Sequence, residues 1–188
     1  MKDLKWTKVK EEHIVQDKWI DFRKATYCFP NGEEFGPYYQ YSRRSYSVII
    51  ARNSNADFVC VRQFRHGIND ITLEFPAGGI ETKNNEFDKI DAEDALECAK
   101  RELLEETGYQ STRWRHLTTL PSNPTIADNY VYCFFADDVH KVSDQHLDDT
   151  EFLEVEIVTE EEIDRMIENS EFLQPIHVMA YLLAKKYF

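Results

Sequence analysis

Apolar residues along this chain follow two rhythms. Short runs rich in β-branched and aromatic residues, at 46–51, 58–64, 72–75, 114–120, 130–136 and 152–158, have the length and composition of core strands. Between the third and fourth of these lies a polar stretch, 92–107, that reads as a helix, and Gly108 follows it at the position a helix C-cap favours. Two more helices are expected to close the chain. The first starts at Thr159, where Glu162 completes a capping box, because each side chain can accept the other residue's amide hydrogen. The second begins near Pro175 and is expected to bury a face made of Ile176, Met179, Ala180 and Leu183. The first 45 residues read as short aromatic-rich strands. Pro30-Asn31-Gly32, between Tyr27-Cys28-Phe29 and Glu33-Glu34-Phe35, has the chemistry of a hairpin turn. Strands and helices are mixed without strict alternation, so the expected class is α+β rather than a doubly wound sheet.

Composition narrows the function. The 188 residues fit one domain with a small appendage, and 42% hydrophobic with 13% aromatic residues excludes disorder. Thirty-five acidic against 22 basic residues give a formal charge of −13, which argues against a nucleic-acid partner. The same charge repels a small anionic substrate unless cations stand between the two. Cys28, Cys60, Cys98 and Cys133 show no Cys-x-x-Cys spacing and read as free thiols in a reducing compartment. The opening Met-Lys-Asp-Leu-Lys-Trp-Thr-Lys lacks the apolar core of a signal peptide, and no run approaches a membrane span of about 20 apolar residues. A cytoplasmic protein with no membrane partner is expected. Histidines 13, 66, 116, 140, 146 and 177 form no metal spacing, and no Ser-His-Asp or Cys-His arrangement stands out.

The informative segment is Arg101-Glu102-Leu103-Leu104-Glu105-Glu106-Thr107-Gly108-Tyr109. On a helix Glu102 and Glu106 lie one turn apart on one face, with Glu105 adjoining. Like charges so placed cost roughly 0.2–0.5 kcal/mol per pair. They also sit in the last turns, where the helix dipole disfavours anions. A divalent metal would compensate, and hard oxygen ligands suit Mg²⁺. Leu103 and Leu104 can anchor the helix, while Arg101 stands at ion-pair spacing from Glu105 and Glu93. Upstream, Pro76-Ala77-Gly78-Gly79 follows Leu73-Glu74-Phe75, and glycines there let backbone approach a ligand or metal closely.

These residues resemble the Nudix box, the pattern Gly, five residues, Glu, seven residues, Arg-Glu-apolar-x-Glu-Glu-x-Gly-apolar. From Glu93 to Tyr109 the match is complete. Fourteen residues separate Gly78 from Glu93 where the family pattern has five, so the box spans 78–109 with an insertion at about 83–91, expected to be a loop. Doubling a surface loop costs only about 0.6 kcal/mol in closure entropy. The flanks are similar to the ADP-ribose pyrophosphatase branch: Val61-Arg62-Gln63-Phe64-Arg65, Leu73-Glu74-Phe75-Pro76-Ala77-Gly78, Pro124 fifteen residues after Tyr109, and the acidic run Asp148–Val155.

The resemblance implies an α/β/α sandwich, a mixed central sheet between helices, over residues 45–188. It also implies a small antiparallel β subdomain over 1–44 that serves dimerisation and nucleoside contacts. It implies Glu102 and Glu106 as principal metal ligands, Glu105 as a further one, and the Ala77 carbonyl as another. Glu105 and Glu106 thereby hold catalytic positions. Glu93 and Arg101 are implied as a supporting ion pair, with Gly78 and Glu74 in the same supporting set, and Arg65, Arg62 and Pro124 as substrate contacts. For the general base, Asp149 falls where a glutamate is usual, and Glu151 on a further metal-facing carboxylate; the choice between them stays open. The implied reaction is Mg²⁺-dependent hydrolysis of ADP-ribose to AMP and ribose 5-phosphate, possible with Mn²⁺, in a homodimer. Alternatives are a GDP- or UDP-sugar pyrophosphatase, an enzyme clearing oxidised nucleoside triphosphates, and a non-catalytic nucleotide sensor on the same scaffold.

Overall fold

The computed structural model describes residues 3–81 and 92–188, and the side chains of the helix that begins at Ala92 from Asp94 on. The inserted residues 83–91 and the side chain of Glu93 lie outside the described residues.

Strands β1 (Thr7–Gln16), β2 (Asp21–Cys28) and β3 (Glu34–Ser42) form a three-stranded antiparallel sheet of their own. The β2–β3 connection is the expected hairpin turn: Phe29 N–H donates to the Glu33 carbonyl at 2.8 Å, and Gly32 takes φ +88°, a conformation that favours glycine. Among the described residues the main sheet has eight strands: β4 (Tyr46–Asn53), β5 (Phe58–Arg65), β6 (Asp70–Glu74), β7 (Ala77–Gly79), β8 (Tyr109–Gln110), β9 (Arg113–Pro121), β10 (Tyr130–Lys141) and β11 (Leu153–Val158). They run in the order β11-β5-β4-β10-β8, with β6 beside β5, β7 beside β4 and β9 beside β10. The β4–β10 pair is parallel and the others are antiparallel, so the sheet is mixed.

Helix α1 (Ala92–Thr107) covers one face, and α2 (Glu160–Glu168) with α3 (Pro175–Ala184) covers the other. Alternation along the central strands explains why they read as unbroken apolar runs. Ile49, Ala51, Tyr132, Phe134 and Ala136 meet Ala95, Ala99 and Leu103 of α1. Their neighbours Val48, Ile50, Val131, Cys133 and Phe135 meet Ile163, Ala180, Tyr181 and Ala184 on the other side. Truncating a core aromatic such as Phe134 to alanine costs about 3–5 kcal/mol in such a setting. Cys60, Cys98 and Cys133 are buried, Cys28 is half-buried, and all four thiols are free. Among the described residues no helix is long and apolar enough to cross a membrane.

Helix ends follow the expected chemistry. Gly108 takes φ +74° behind α1, and a Cβ there would collide with the Ser143 carbonyl. Thr159 and Glu162 close the capping box on α2. The face of α3 differs from expectation. Its buried residues are His177, Ala180, Tyr181 and Ala184, one position further along than the expected set; Ile176 and Met179 pack at the rim, and Leu183 is half-buried. The helix is apolar nearly all round, so periodicity could not set its rotation. Hydrogen bonds set it instead: His177 Nδ1 accepts from the Phe75 amide at 3.2 Å, and the Tyr181 hydroxyl donates to Asp164 at 2.8 Å.

Candidate active site

The site forms where β7 turns under α1. Ala77, Gly78 and Gly79 pair with Val48, Ser47 and Tyr46 of β4, and Ser47 Oγ donates to the Ala95 carbonyl at 2.9 Å, tying α1 to the same strand. With Leu103 fully buried as anchor, the helix turns Glu102 and Glu106 inward, where they are 8% and 4% exposed. The Glu102 carboxyl lies directly over the Cα of Gly78, in the space a Cβ would occupy. Glu106 Oε2 accepts the Ala77 amide hydrogen at 3.1 Å.

Burial makes these carboxylates costly to ionise. It pushes the Glu106 carboxyl up to about 8, helped by the charges of Glu102 and Glu151 and opposed by the Ala77 amide and Arg65. Burial also raises Glu102, reinforced by Glu105 and Glu151, against the pull of Arg101. Arg101 spans the group, its Nη1 2.5 Å from Glu105 and its Nη2 2.6 Å from Glu102. Among the described residues no three acidic, histidine or cysteine side chains stand ready around one metal position. Arg101 engages Glu105 and Glu102 while the Ala77 amide holds Glu106. The donors are nonetheless hard oxygens beside a glycine cradle, and the raised Glu106 marks a place where positive charge is wanted. That chemistry fits a divalent cation of the Mg²⁺ type.

Arg65 approaches from β5. It makes a two-pronged pair with Glu74, Nε to Oε1 at 2.8 Å and Nη2 to Oε2 at 2.5 Å. Glu74 is fully buried, yet its carboxyl lies below the usual carboxylate range: burial acts to raise it, but Arg65, Thr72 and Gln174 outweigh that. Arg65 leaves Nη1 outside this pair, and its charge is felt at Glu106. Arg62, three residues earlier in the extended strand, projects to the opposite face and pairs with Glu156 at 2.8–2.9 Å. The structure therefore brings Arg65, and not Arg62, beside the glutamates.

The acidic loop hangs from the end of α1. His146 N–H donates to the Glu105 carbonyl at 2.8 Å and Gln145 Nε2 to the Glu106 carbonyl at 2.7 Å, satisfying two acceptors the helix leaves open. Beyond them Asp149 and Glu151 are both exposed. Glu151 is the one whose charge acts on Glu102 and Glu106. Pro124 is exposed on the loop joining β9 to β10, which docks on the N-terminal sheet through the Tyr41 amide and the Ile126 carbonyl at 2.9 Å. The supporting contacts of Gln145, Gln174 and His177 had no signal in the sequence, since each joins residues 39 to 102 positions apart.

A family model described as NUDIX domain matches residues 41–176. The chain is 29% identical over 178 residues to an ADP-ribose pyrophosphatase of Bacillus subtilis, covering 91% of this chain and 88% of that protein. It is 36% identical over 110 residues to an ADP-sugar pyrophosphatase of Mus musculus, covering 53% of this chain and 46% of that one. A crystal structure of an ADP compounds hydrolase superposes over 100% of this chain and 96% of its own, with a TM-score of 0.80 at 20% identity, and so shares the fold. A family match over most of the chain, on a mixed sheet between helices and around an intact Arg101–Tyr109 segment, establishes that this protein belongs to the Nudix hydrolase family.

Proposed function

We propose that the protein is a divalent-metal-dependent pyrophosphatase that cleaves ADP-ribose to AMP and ribose 5-phosphate. The observation that carries the reading is the buried pair Glu102 and Glu106 over the Gly78 backbone, in a chain similar to proteins named for ADP-ribose and ADP-sugar hydrolysis. Glu102, Glu105, Glu106 and the Ala77 carbonyl would hold Mg²⁺, or Mn²⁺ in its place. That cation would neutralise the pyrophosphate and acidify a water. It also reconciles a protein of charge −13 with an anionic substrate.

Arg65, aimed by Glu74, binds a phosphate oxygen. A carboxylate of the acidic loop takes the proton of the attacking water, a contribution on the order of 10²–10⁴ in rate. Glu151, whose charge already reaches the glutamates, is the better placed, with Asp149 beside it in the same turn. Water adds to phosphorus, the P–O–P linkage breaks, and the two phosphomonoesters leave. Residues 45–188 carry this chemistry, and residues 1–44 serve pairing of two copies and nucleoside contacts. Exposed Val9, Ile14, Val15 and Trp19 support the pairing role, because exposed apolar side chains gain by being covered. Free thiols fit a cytoplasmic setting.

A second reading, cleavage of another nucleoside diphosphate sugar, is favoured by Asn123-Pro124-Thr125, which lacks the glycine common after this proline in the ADP-ribose branch. A Mg²⁺-supplemented panel of ADP-ribose, ADP-glucose, GDP-mannose, UDP-glucose, NADH and ATP, with products resolved by chromatography, separates the two. Preferential release of AMP from ADP-ribose is the expected result. Preference for a GDP- or UDP-sugar would move the assignment to the second reading, and turnover of none would remove both.

A further inference from the structure

Arg23 is a charge turned inward in a sheet with little core to surround it. Its side chain is 11% exposed in the middle of the three-stranded N-terminal sheet, opposite His13 on one side and Gln40 on the other. Nη1 donates to Asp21 at 2.9 Å and to Ser42 Oγ at 2.6 Å, while Nε lies 3.3 Å from Glu11. Asp21 is held in turn by His13 Nδ1 at 2.6 Å. A buried ionic network of this kind is a weak source of stability, because desolvating the charges offsets their attraction, and apolar residues of similar volume would serve a sheet as well. Its position has another consequence.

The network does not end in the sheet. Arg23 Nη2 lies 2.5 Å from Asp128, 105 residues away, and Ser42 Oγ donates to the same Asp128 oxygen at 2.6 Å. Asp128 belongs to the loop between β9 and β10. At the loop's base, buried Asn129 bonds to Ser122 and to the Arg44 carbonyl. At its tip, the Ile126 and Ala127 amides fold back on the Asn123 carbonyl, which leaves Pro124 exposed at the turn. The stretch between Asn123 and Asp128 is thus fixed by its own turn, by the Tyr41 amide on the Ile126 carbonyl, and at Asp128 by a cation from the N-terminal sheet.

We infer that Arg23, acting through Asp128, is a positioning residue for Asn123-Pro124-Thr125, and that the N-terminal sheet thereby sets the choice between a pentose and a hexose on the distal phosphate. The inference rests on the proposed function and on the implied role of Pro124 as a substrate contact, taken here to be the contact with the sugar on the distal phosphate. Arg23 touches no reacting atom. Its loss is therefore felt in KM and in selectivity, while kcat is retained.

The test is steady-state kinetics on ADP-ribose and ADP-glucose with Arg23→Met, Arg23→Lys, Asp128→Ala and Pro124→Gly. Arg23→Met and Asp128→Ala are each expected to raise KM for ADP-ribose about tenfold with kcat within about twofold, and to narrow the ratio of kcat/KM between the two sugars. The double variant Arg23→Met/Asp128→Ala is expected to be no worse than either single one, and Arg23→Lys to recover part of the loss. Asp128 is half exposed on a loop, so its variant keeps the test valid even where Arg23→Met folds poorly. If Pro124→Gly changes selectivity while Arg23 and Asp128 variants do not, the positioning role is overturned and the sugar-contact reading stands. If Pro124→Gly also leaves selectivity untouched, the sugar-contact reading fails and the inference falls with it. Equal loss of kcat on both substrates would overturn it as well, since that is the mark of general damage.

Discussion

The carboxyl group of Glu102 occupies the volume that any side chain at residue 78 would need. Gly78 is thus a cradle: its missing Cβ lets the Glu102 carboxylate rest against strand backbone, one helical turn from Glu106, which the Ala77 amide holds. Gly78→Ala is expected to drive Glu102 off its seat. A displacement of about 1 Å at a reacting centre costs on the order of 10²-fold in rate. Overpacking at the same point costs about 1–3 kcal/mol in stability. Hydrolysis rate with a thermal melt checks this, and a variant with full activity would show that Glu102 has no need of that seat.

Glu106 makes the metal-free protein sensitive to alkali. Its folded-state value of about 8 lies above the ordinary 4.5, so the fold binds its proton more tightly than the unfolded chain does. The associated stability is fully present below the unfolded value and is lost as pH rises through about 8, on the order of a few kcal/mol. In chelator, the melting temperature is expected to fall across that window. Mg²⁺ is expected to raise it more at pH 8 than at pH 5. Glu106→Gln is expected to flatten the profile, stabilise the chelated protein at pH 8 and abolish hydrolysis. Undiminished hydrolysis by that variant would refute the assignment of Glu106 as a metal ligand.

His177 acts at the opposite end of the scale. It is buried, accepts the Phe75 amide hydrogen through Nδ1, and burial lowers it from 6.5 to about 4. A folded value below the unfolded one means that its stability is present above about 6.5 and lost as pH falls through about 4, up to about 3 kcal/mol. His177→Leu strands the Phe75 amide, at about 1–3 kcal/mol, and removes this acid limb. Denaturant unfolding at pH 7 and pH 4.5 reads both effects: the variant's deficit is expected to shrink at the lower pH. A deficit that grows there would contradict a neutral buried imidazole.

Much of this was legible in the chain because it is local. Helix 92–107 and its glycine stop, the hairpin at Pro30-Asn31-Gly32 and the Thr159–Glu162 box are set by neighbours within a few residues. The Glu102–Glu106 spacing was legible for the same reason. The rotation of α3 was not, since its apolar residues encircle it and the deciding bonds come from Phe75 and Asp164. Nor could the strand motif separate its two arginines. Alternation puts Arg62 and Arg65 on opposite faces, but which face meets α1 is a property of the sheet.

Those two arginines make a sharp comparison. Arg62 and Glu156 are each about four-tenths exposed, and an ion pair in that setting is worth about 0–1 kcal/mol. Arg62→Ala is therefore expected to leave stability nearly unchanged and hydrolysis within about twofold. Arg65→Ala removes the main partner of a fully buried carboxylate and leaves Glu74 with Thr72 and Gln174 alone. Breaking such a pair costs about 3–5 kcal/mol, and the lost phosphate contact is expected to lower kcat/KM by on the order of 10²-fold. The two losses can be told apart with Arg65→Ala/Glu74→Leu, which removes both charges together. Stability is then expected to recover in part, because no uncompensated charge stays buried, while kcat/KM stays low. Recovery of both would mean that Arg65 only neutralises Glu74. Loss of activity in Arg62→Ala would place the phosphate on the other face of β5 and require a site built around Glu156.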